Sequence, residues 1–163
     1  MSKTIPNNYA FIDANNLHLG SRSEHIRINY AKLRLHLRNR FHVSKAFMFI
    51  GYDLQHKKLY QKLCNCGFEL VFKPIVPIYR AGTVVLKGNV DAELVLWAAA
   101  VEYDHYDQAV VVTGDGDFAC LINFLRQRGK FRRLITPSHK FSTLLKCYGN
   151  DITTLSSIKR KIT

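Results

Sequence analysis

The sequence predicts an α/β fold with a mostly parallel central sheet and helices on both faces. Three observations lead there. Strand-like and helix-like patterns alternate along the chain, with no internal repeat, low-complexity tract or Pro/Gly/Ser-rich linker. Ala109-Val-Val-Val112 is a continuous apolar run, as expected of a strand buried on both faces. The 163 residues, 47% apolar and 22% charged, match an ordinary globular chain of one domain, 1–163, with its core over about 9–155.

Taken in order, Tyr9 to Asp13 reads as a short buried strand ending on an acid. Ile28 to Arg40 reads as a helix with a basic face. Val43 to Tyr52, rich in Phe, Ile and Val, is a strand. Gln55 to Cys66 is a helix with Leu59 and Leu63 at i,i+4 and Gly67 as its stop. Phe68 to Phe72 is a third strand, stopped by Pro74. Pro74 to Asn89 carries Pro77, Gly82 and Gly88 and reads as a loop or short hairpin. Asn89 is expected to cap a helix from Val90 to about Tyr103. After the strand at 109–112, Asp117 to Arg128 is a helix ended by Gly129, and Arg133 to Thr136 is a strand. Ser142 to Tyr148 and Ser156 to Ile162 read as helical, around a short extended piece at Ile152 to Leu155.

In such sheets ligands bind outside the carboxyl ends of the strands. Asp13 ends the first strand, and Asp115 and Asp117 follow the strongest one. Asp91 lies in the first turn of a helix that starts at the same edge. The fold rule gathers these four carboxylates whatever their charge. Held close together they repel one another and raise each other's pKa unless a cation offsets them. Mg²⁺ or Mn²⁺, which prefer hard oxygen ligands, would suit. Such an ion polarises a phosphoryl oxygen and acidifies a water. Gly114 and Gly116 are expected to let a phosphate backbone approach the turn. Taken singly, an Asp-Gly-Asp turn or an Asp after a strand is also what a helix cap looks like.

The blocks Phe11-Ile-Asp13-Ala-Asn-Asn16-Leu17, Lys87-Gly-Asn-Val-Asp91 and Thr113-Gly-Asp115-Gly-Asp117-Phe118 resemble, in order and spacing, the three signature blocks of NYN domains. These form the LabA-like branch of the PIN-like nuclease superfamily. The resemblance runs from about Tyr9 to Leu155. It implies a Rossmann-like (PIN-like) α/β/α sandwich and a metal-dependent ribonuclease acting on single-stranded or structured RNA. Asp13, Asp91, Asp115 and Asp117 match the acidic positions that bind Mg²⁺ or Mn²⁺ and carry catalysis. Asn16 matches a polar residue that orients ligands or a phosphate. Thr113 matches a hydroxyl residue expected to bond a carboxylate, and Lys87 a basic residue expected at the scissile phosphate. The spacer from Lys87 to Asp91 is one residue longer than the Lys-Gly-x-Asp form. Ala14 and Asn150 stand where Gly and Ala are common. No acidic position is lost, as a non-catalytic RNA-binding adaptor on the same fold, the alternative reading, would be expected to show.

Charge bears on the partner. Lys and Arg number 24 and Asp and Glu 12, a net charge of +12. Setting the four aspartates aside leaves +16 around a local −4. Arg22, Arg80, Lys87 and Lys140, flanking the acidic turns, are the candidate RNA contacts. Arg126 to Arg133 adds five basic residues in eight positions. Tyr52 and Tyr79 are candidates for stacking on bases. Cys64-x-Cys66 lacks zinc spacing and a second pair, so the four thiols are expected to be buried. His18 adjoins the first acidic block. No apolar run reaches the roughly 20 residues of a membrane helix; nucleic acid is the first polyanion the charge suggests and an anionic membrane surface the second, and no membrane partner is expected. The polar start is unlike a secretory signal, so the cytoplasm is the expected compartment. The apolar stretch Ile75 to Leu86 is a candidate homodimer interface or lid.

Overall fold

The computed structural model describes residues 4–74, 76–87 and 90–163, with the backbone alone for 74, 76–80 and 83–87. Six strands form one parallel sheet: β1 (Asn8–Asp13), β2 (Val43–Tyr52), β3 (Glu69–Pro74), β6 (Ala109–Val112), β7 (Phe131–Thr136) and β8 (Ile152–Thr154). Their order is β3-β2-β1-β6-β7-β8. A separate antiparallel ribbon joins β4 (Val76–Arg80) to β5 (Thr83–Lys87), the hairpin alternative for that stretch. Its turn at Ala81 and Gly82 uses positive φ at both residues, +48° and +77°.

Alternation along the strands builds two cores. Ala10, Ile12, Val110 and Val112 face one side, where α1 (Ala14–Ser23), α2 (Tyr30–Phe41), α3 (Lys57–Asn65) and α6 (Lys159–Ile162) contribute Leu17, Leu33, Leu37, Leu63 and Ile162. Tyr9, Phe11, Ala109 and Val111 face the other, against Leu94 of α4 (Asp91–Leu96) and Leu121, Ile122 and Leu125 of α5 (Ala119–Gln127). Every residue of β1 and β6 is buried, the two-sided burial that their apolar composition predicts.

Helix α1 is absent from the sequence-based reading. Its Gly20, Ser21 and Ser23 are poor helix formers, and the mean hydropathy of the segment hides its buried Leu17. Gly20 is accommodated by tertiary packing: a Cβ there would lie 2.4 Å from Pro137 Cβ. Helix α2 starts at Tyr30, capped by Asn29, whose side chain accepts the Lys32 N–H. A 3-10 turn at Leu54–His56 precedes α3. The N-cap of α4 is Val90, with no side-chain cap; Asn89, expected in that role, lies outside the described residues. α4 is shorter than expected and passes into a π-helical turn at Trp97–Val101. Before α5 there is a 3-10 turn at Gly116–Phe118. A nine-residue 3-10 segment, Thr143–Asp151, stands where a helix was expected, broken at Gly149 by its positive φ of 46°.

The thiols depart from expectation. Cys64, Cys120 and Cys147 are exposed and Cys66 is half-buried. On α3 the buried positions are Tyr60 and Leu63. Cys64, about 100° further round the helix, turns outward. Among the described residues, no helix is long and apolar enough to cross a membrane.

Candidate metal centre

The strand order reverses direction between β1 and β6, so the chain leaves their carboxyl ends on opposite sides and opens a crevice there. Asp13 closes β1. Fully buried Thr113 follows β6 and leads into the Gly114-Asp115-Gly116-Asp117 turn. Asp91 opens α4 on the face that packs against β1 and this turn.

Local hydrogen bonds fix the turn. Asp115 Oδ1 accepts the Asp117 N–H at 3.0 Å, capping the 3-10 turn that carries Asp117. Thr113 Oγ1 accepts the Asp115 N–H at 3.2 Å. Thr113, expected to bond a carboxylate, holds the backbone of the turn through this acceptor role, and its own O–H remains a donor. Asn16 Oδ1 accepts the Gly114 N–H at 2.7 Å, and Gly114 O accepts the Ser142 N–H at 3.0 Å. Asn16 thereby ties α1 to the turn. The fully buried Phe118 anchors the far end.

The glycines are needed for this packing. A Cβ on Gly114 would stand 3.2 Å from Phe141 Cβ and 3.3 Å from Asn16 Oδ1. One on Gly116 would stand 2.3 Å from Ser142 Oγ. On the Cβ side both glycines meet the protein's own chain. Sequence reasoning noted Ser142 only as the start of the helical stretch Ser142 to Tyr148. Its signal is that of an N-cap, and its hydroxyl accepts the Leu144 N–H at 3.3 Å.

Asp91, Asp115 and Asp117 each offer one carboxylate oxygen to a group in which all three oxygens lie within 4.8 Å of one another. Opposed ligands on an ion with bonds of about 2.1 Å stand about 4.2 Å apart. Three hard, anionic oxygens gathered at about this spread are compatible with a divalent cation. Asp13 stands outside that group by this measure. It is 6% exposed, and its Oδ1 accepts the Asn16 N–H at 3.0 Å as the cap of α1. Burial raises its pKa to about 6. The charges of Asp91 and Asp115 push it in the same direction, and the Asn16 and Asn15 N–H groups pull against them. Glu93, two residues further along α4, is engaged by Lys73 Nζ at 3.2 Å.

The basic residues separate into two kinds. Arg34 donates to Gly67 O, Val43 O and Ser44 O, and burial lowers its pKa. Lys130 donates to Tyr103 O and Tyr106 O beneath both rings, and Arg133 to Asn150 O. These three are structural. Lys140 is exposed and lines a shallow depression with Asn16 and Gly114. Its loop is held to α1 by Glu24, which accepts from Ser138 Oγ at 2.7 Å and pairs with His139. Those bonds, that of Ser138 first, keep the Glu24 pKa below the usual range. Arg22 is exposed at the end of α1, in a separate depression with His18 and Tyr30. The backbones of Arg80 and Lys87 end β4 and β5; their side chains, with that of Tyr79, lie outside the described part of the structure.

A model of the NYN domain family matches residues 9–155. No curated protein matches the chain. Among solved structures, the chain is similar to the crystal structure of a protein of unknown function from Vibrio parahaemolyticus. The TM-score is 0.74 at 22% identity, over 95% of this chain and 96% of that one. That likeness speaks for the shared fold. NYN domains are part of the PIN-like nuclease superfamily, whose members generally use divalent metals, and the aspartate cluster is compatible with that chemistry. With nearly its whole length matched, the chain belongs to the NYN domain family.

Proposed function

We propose that this chain, acting as a single domain of the LabA-like branch, is a metal-dependent ribonuclease that hydrolyses RNA phosphodiester bonds. The observation that carries the reading is the convergence of the Asp91, Asp115 and Asp117 oxygens within 4.8 Å at the crevice between β1 and β6. Those three residues would hold Mg²⁺ or Mn²⁺, which when bound supplies the charge to polarise a phosphoryl oxygen and acidify a water. Asp13 adds a fourth negative charge behind them and fixes the first turn of α1. Asn16 and Thr113 hold the turn that carries Asp115 and Asp117 in register. Lys140 and Arg22 supply positive charge for flanking phosphates, and Lys87 and Arg80 are assigned the same role from their place in the sequence. The products expected are 5′-phosphate and 3′-hydroxyl ends.

The test is cleavage of varied RNAs by pure protein in Mn²⁺ or Mg²⁺, alongside the thermal shift that either ion produces. Saturation at 100 times Kd stabilises a fold by about 2.7 kcal/mol. Asp115→Asn is expected to lose both cleavage and shift, while Glu93→Gln keeps the shift because Glu93 is paired with Lys73. Equal cleavage by wild type and Asp115→Asn would sink the reading. RNA binding without cleavage under any ion would favour the adaptor alternative.

A further inference from the structure

A second concavity adjoins the carboxylates at the carboxyl ends of β1 and β2. It encloses about 370 Å³, within the range of small-ligand pockets, about 300–1,000 Å³. Its walls include Ala14 and Val90, the chain neighbours of Asp13 and Asp91, so it opens directly beside the acidic centre. Its inner surface is apolar, from Leu17, Met48, Leu59 and Leu63, and Asn15, His18 and His56 stand around it.

Resting on the ribonuclease reading above, we propose that this cavity takes one unpaired nucleobase of the RNA next to the cleaved phosphate. Three features select that occupant. Among the described residues, no Lys, Arg, Asp or Glu lines the cavity, so it suits a neutral ring better than a phosphate. The exposed Asn15 amide and the His18 and His56 imidazoles provide the hydrogen-bonding groups that a base edge needs. The surface beyond His56 continues in the same chemistry. The His56 ring lies 6.5 Å from that of Tyr60, which packs 4.9 Å from Phe72 and 6.0 Å from Tyr52. Phe72 and Tyr52 are 41% and 40% exposed at the ends of β3 and β2. Tyr60 is buried, and its hydroxyl holds the end of β2 by accepting the Asp53 N–H at 2.9 Å and donating to Gly51 O at 3.2 Å. Phe72 and Tyr52 offer a neighbouring base a stacking face that tolerates any sequence. The substrate is then a single strand, since a paired base cannot leave its stack to enter the cavity without the duplex opening.

The experiment has two arms, both without metal. In the first, methyl NMR of Met48, Leu59 and Leu63 follows titration with the four nucleoside 5′-monophosphates and with ribose 5-phosphate. Saturable shifts with at least one nucleotide, absent with ribose 5-phosphate, are expected. They should be lost in Leu59→Trp, which fills the cavity from a half-buried helix position. Asn15→Ala, a variant at an exposed position, should weaken them without filling space. No shift with any nucleotide, or equal shifts with ribose 5-phosphate, overturns the proposal. In the second arm, anisotropy of a labelled octanucleotide is read with wild type and Leu59→Trp, against intact RNA and a set with one abasic nucleotide at each position. A loss of about tenfold from Leu59→Trp, and from one abasic position in wild type but not in Leu59→Trp, is expected. Equal losses at every position in both proteins overturn it. Retained nucleotide shifts in a protein that cleaves no RNA support the cavity and overturn the nuclease reading alone.

Discussion

Asn16 Oδ1 accepts the Gly114 N–H at 2.7 Å across 98 residues of chain. The bond joins the first turn of the helix after β1 to the turn after β6, and so connects the element bearing Asp13 to the one bearing Asp115 and Asp117. Both groups are half-buried. Asn16→Ala leaves the Gly114 N–H without its partner, at a cost of about 1–3 kcal/mol. Urea unfolding should show the loss as a lower midpoint. RNA cleavage should fall further than stability alone explains, because the turn is no longer held against α1. An unchanged midpoint would show that the bond contributes nothing.

The Asp13 carboxyl gives the metal-free protein a distinctive pH dependence. Its pKa is about 6 in the fold and 3.8 ordinarily. Between those values the folded chain holds more protons than the unfolded one, so stability falls as pH rises. This contribution is fully present below about pH 4 and is lost once pH passes 6. The full span amounts to on the order of 3 kcal/mol. In EDTA, Asp13→Asn should match wild type near pH 4 and exceed it at pH 7.5, since Asn caps a helix about as well as Asp. Denaturant midpoints at the two pH values check this. Cleavage by the variant should be abolished although the fold is stabilised.

Gly116 is the tightest position in the acidic turn, with Ser142 Oγ 2.3 Å from where a Cβ would lie. Gly116→Ala forces the turn and the Thr143–Asp151 segment apart. We expect about 1–3 kcal/mol of destabilisation, as for overpacked cores. The Mn²⁺-induced thermal shift should shrink with it, because Asp115 and Asp117 flank the displaced residue. Adding Ser142→Gly should recover part of both effects. No recovery would mean that the strain lies elsewhere.

Two basic residues should respond in opposite ways. Arg34→Ala removes three bonds to carbonyls. It should lower stability by about 2 kcal/mol, within the range for charged donors, and leave RNA affinity as it is. Lys140→Ala should leave the unfolding midpoint in place. It should reduce the slope of log affinity against log salt by about 0.7 for single-stranded RNA. Anisotropy over a salt series separates the two.

The strands and the edge on which the carboxylates gather were legible because each depends on a local pattern. Val43–Tyr52 and Ala109–Val112 are read from apolar runs, and a parallel sheet then fixes which ends of its strands coincide. Helix α1 was not legible, since Gly20 lies in it through packing on Pro137, 117 residues away. Exposure of Cys64 and Cys120 was misjudged because residue type alone does not tell which side of a helix faces the sheet.

By itself the sequence determined the alternation of elements, the four aspartates at one sheet edge and the excess of positive charge around them. These follow from spacing and composition. Only the tertiary structure decided that Asp91, Asp115 and Asp117 form one group of oxygens while Asp13 sits behind them, desolvated. It also decided that Asn16 braces the turn, that the Cβ sides of Gly114 and Gly116 meet protein and that a cavity with no charged residue among the described ones opens beside the carboxylates. Each of these depends on distances between residues far apart in the chain. Such distances are set by how helices pack on both faces of the sheet, not by any local run of residues.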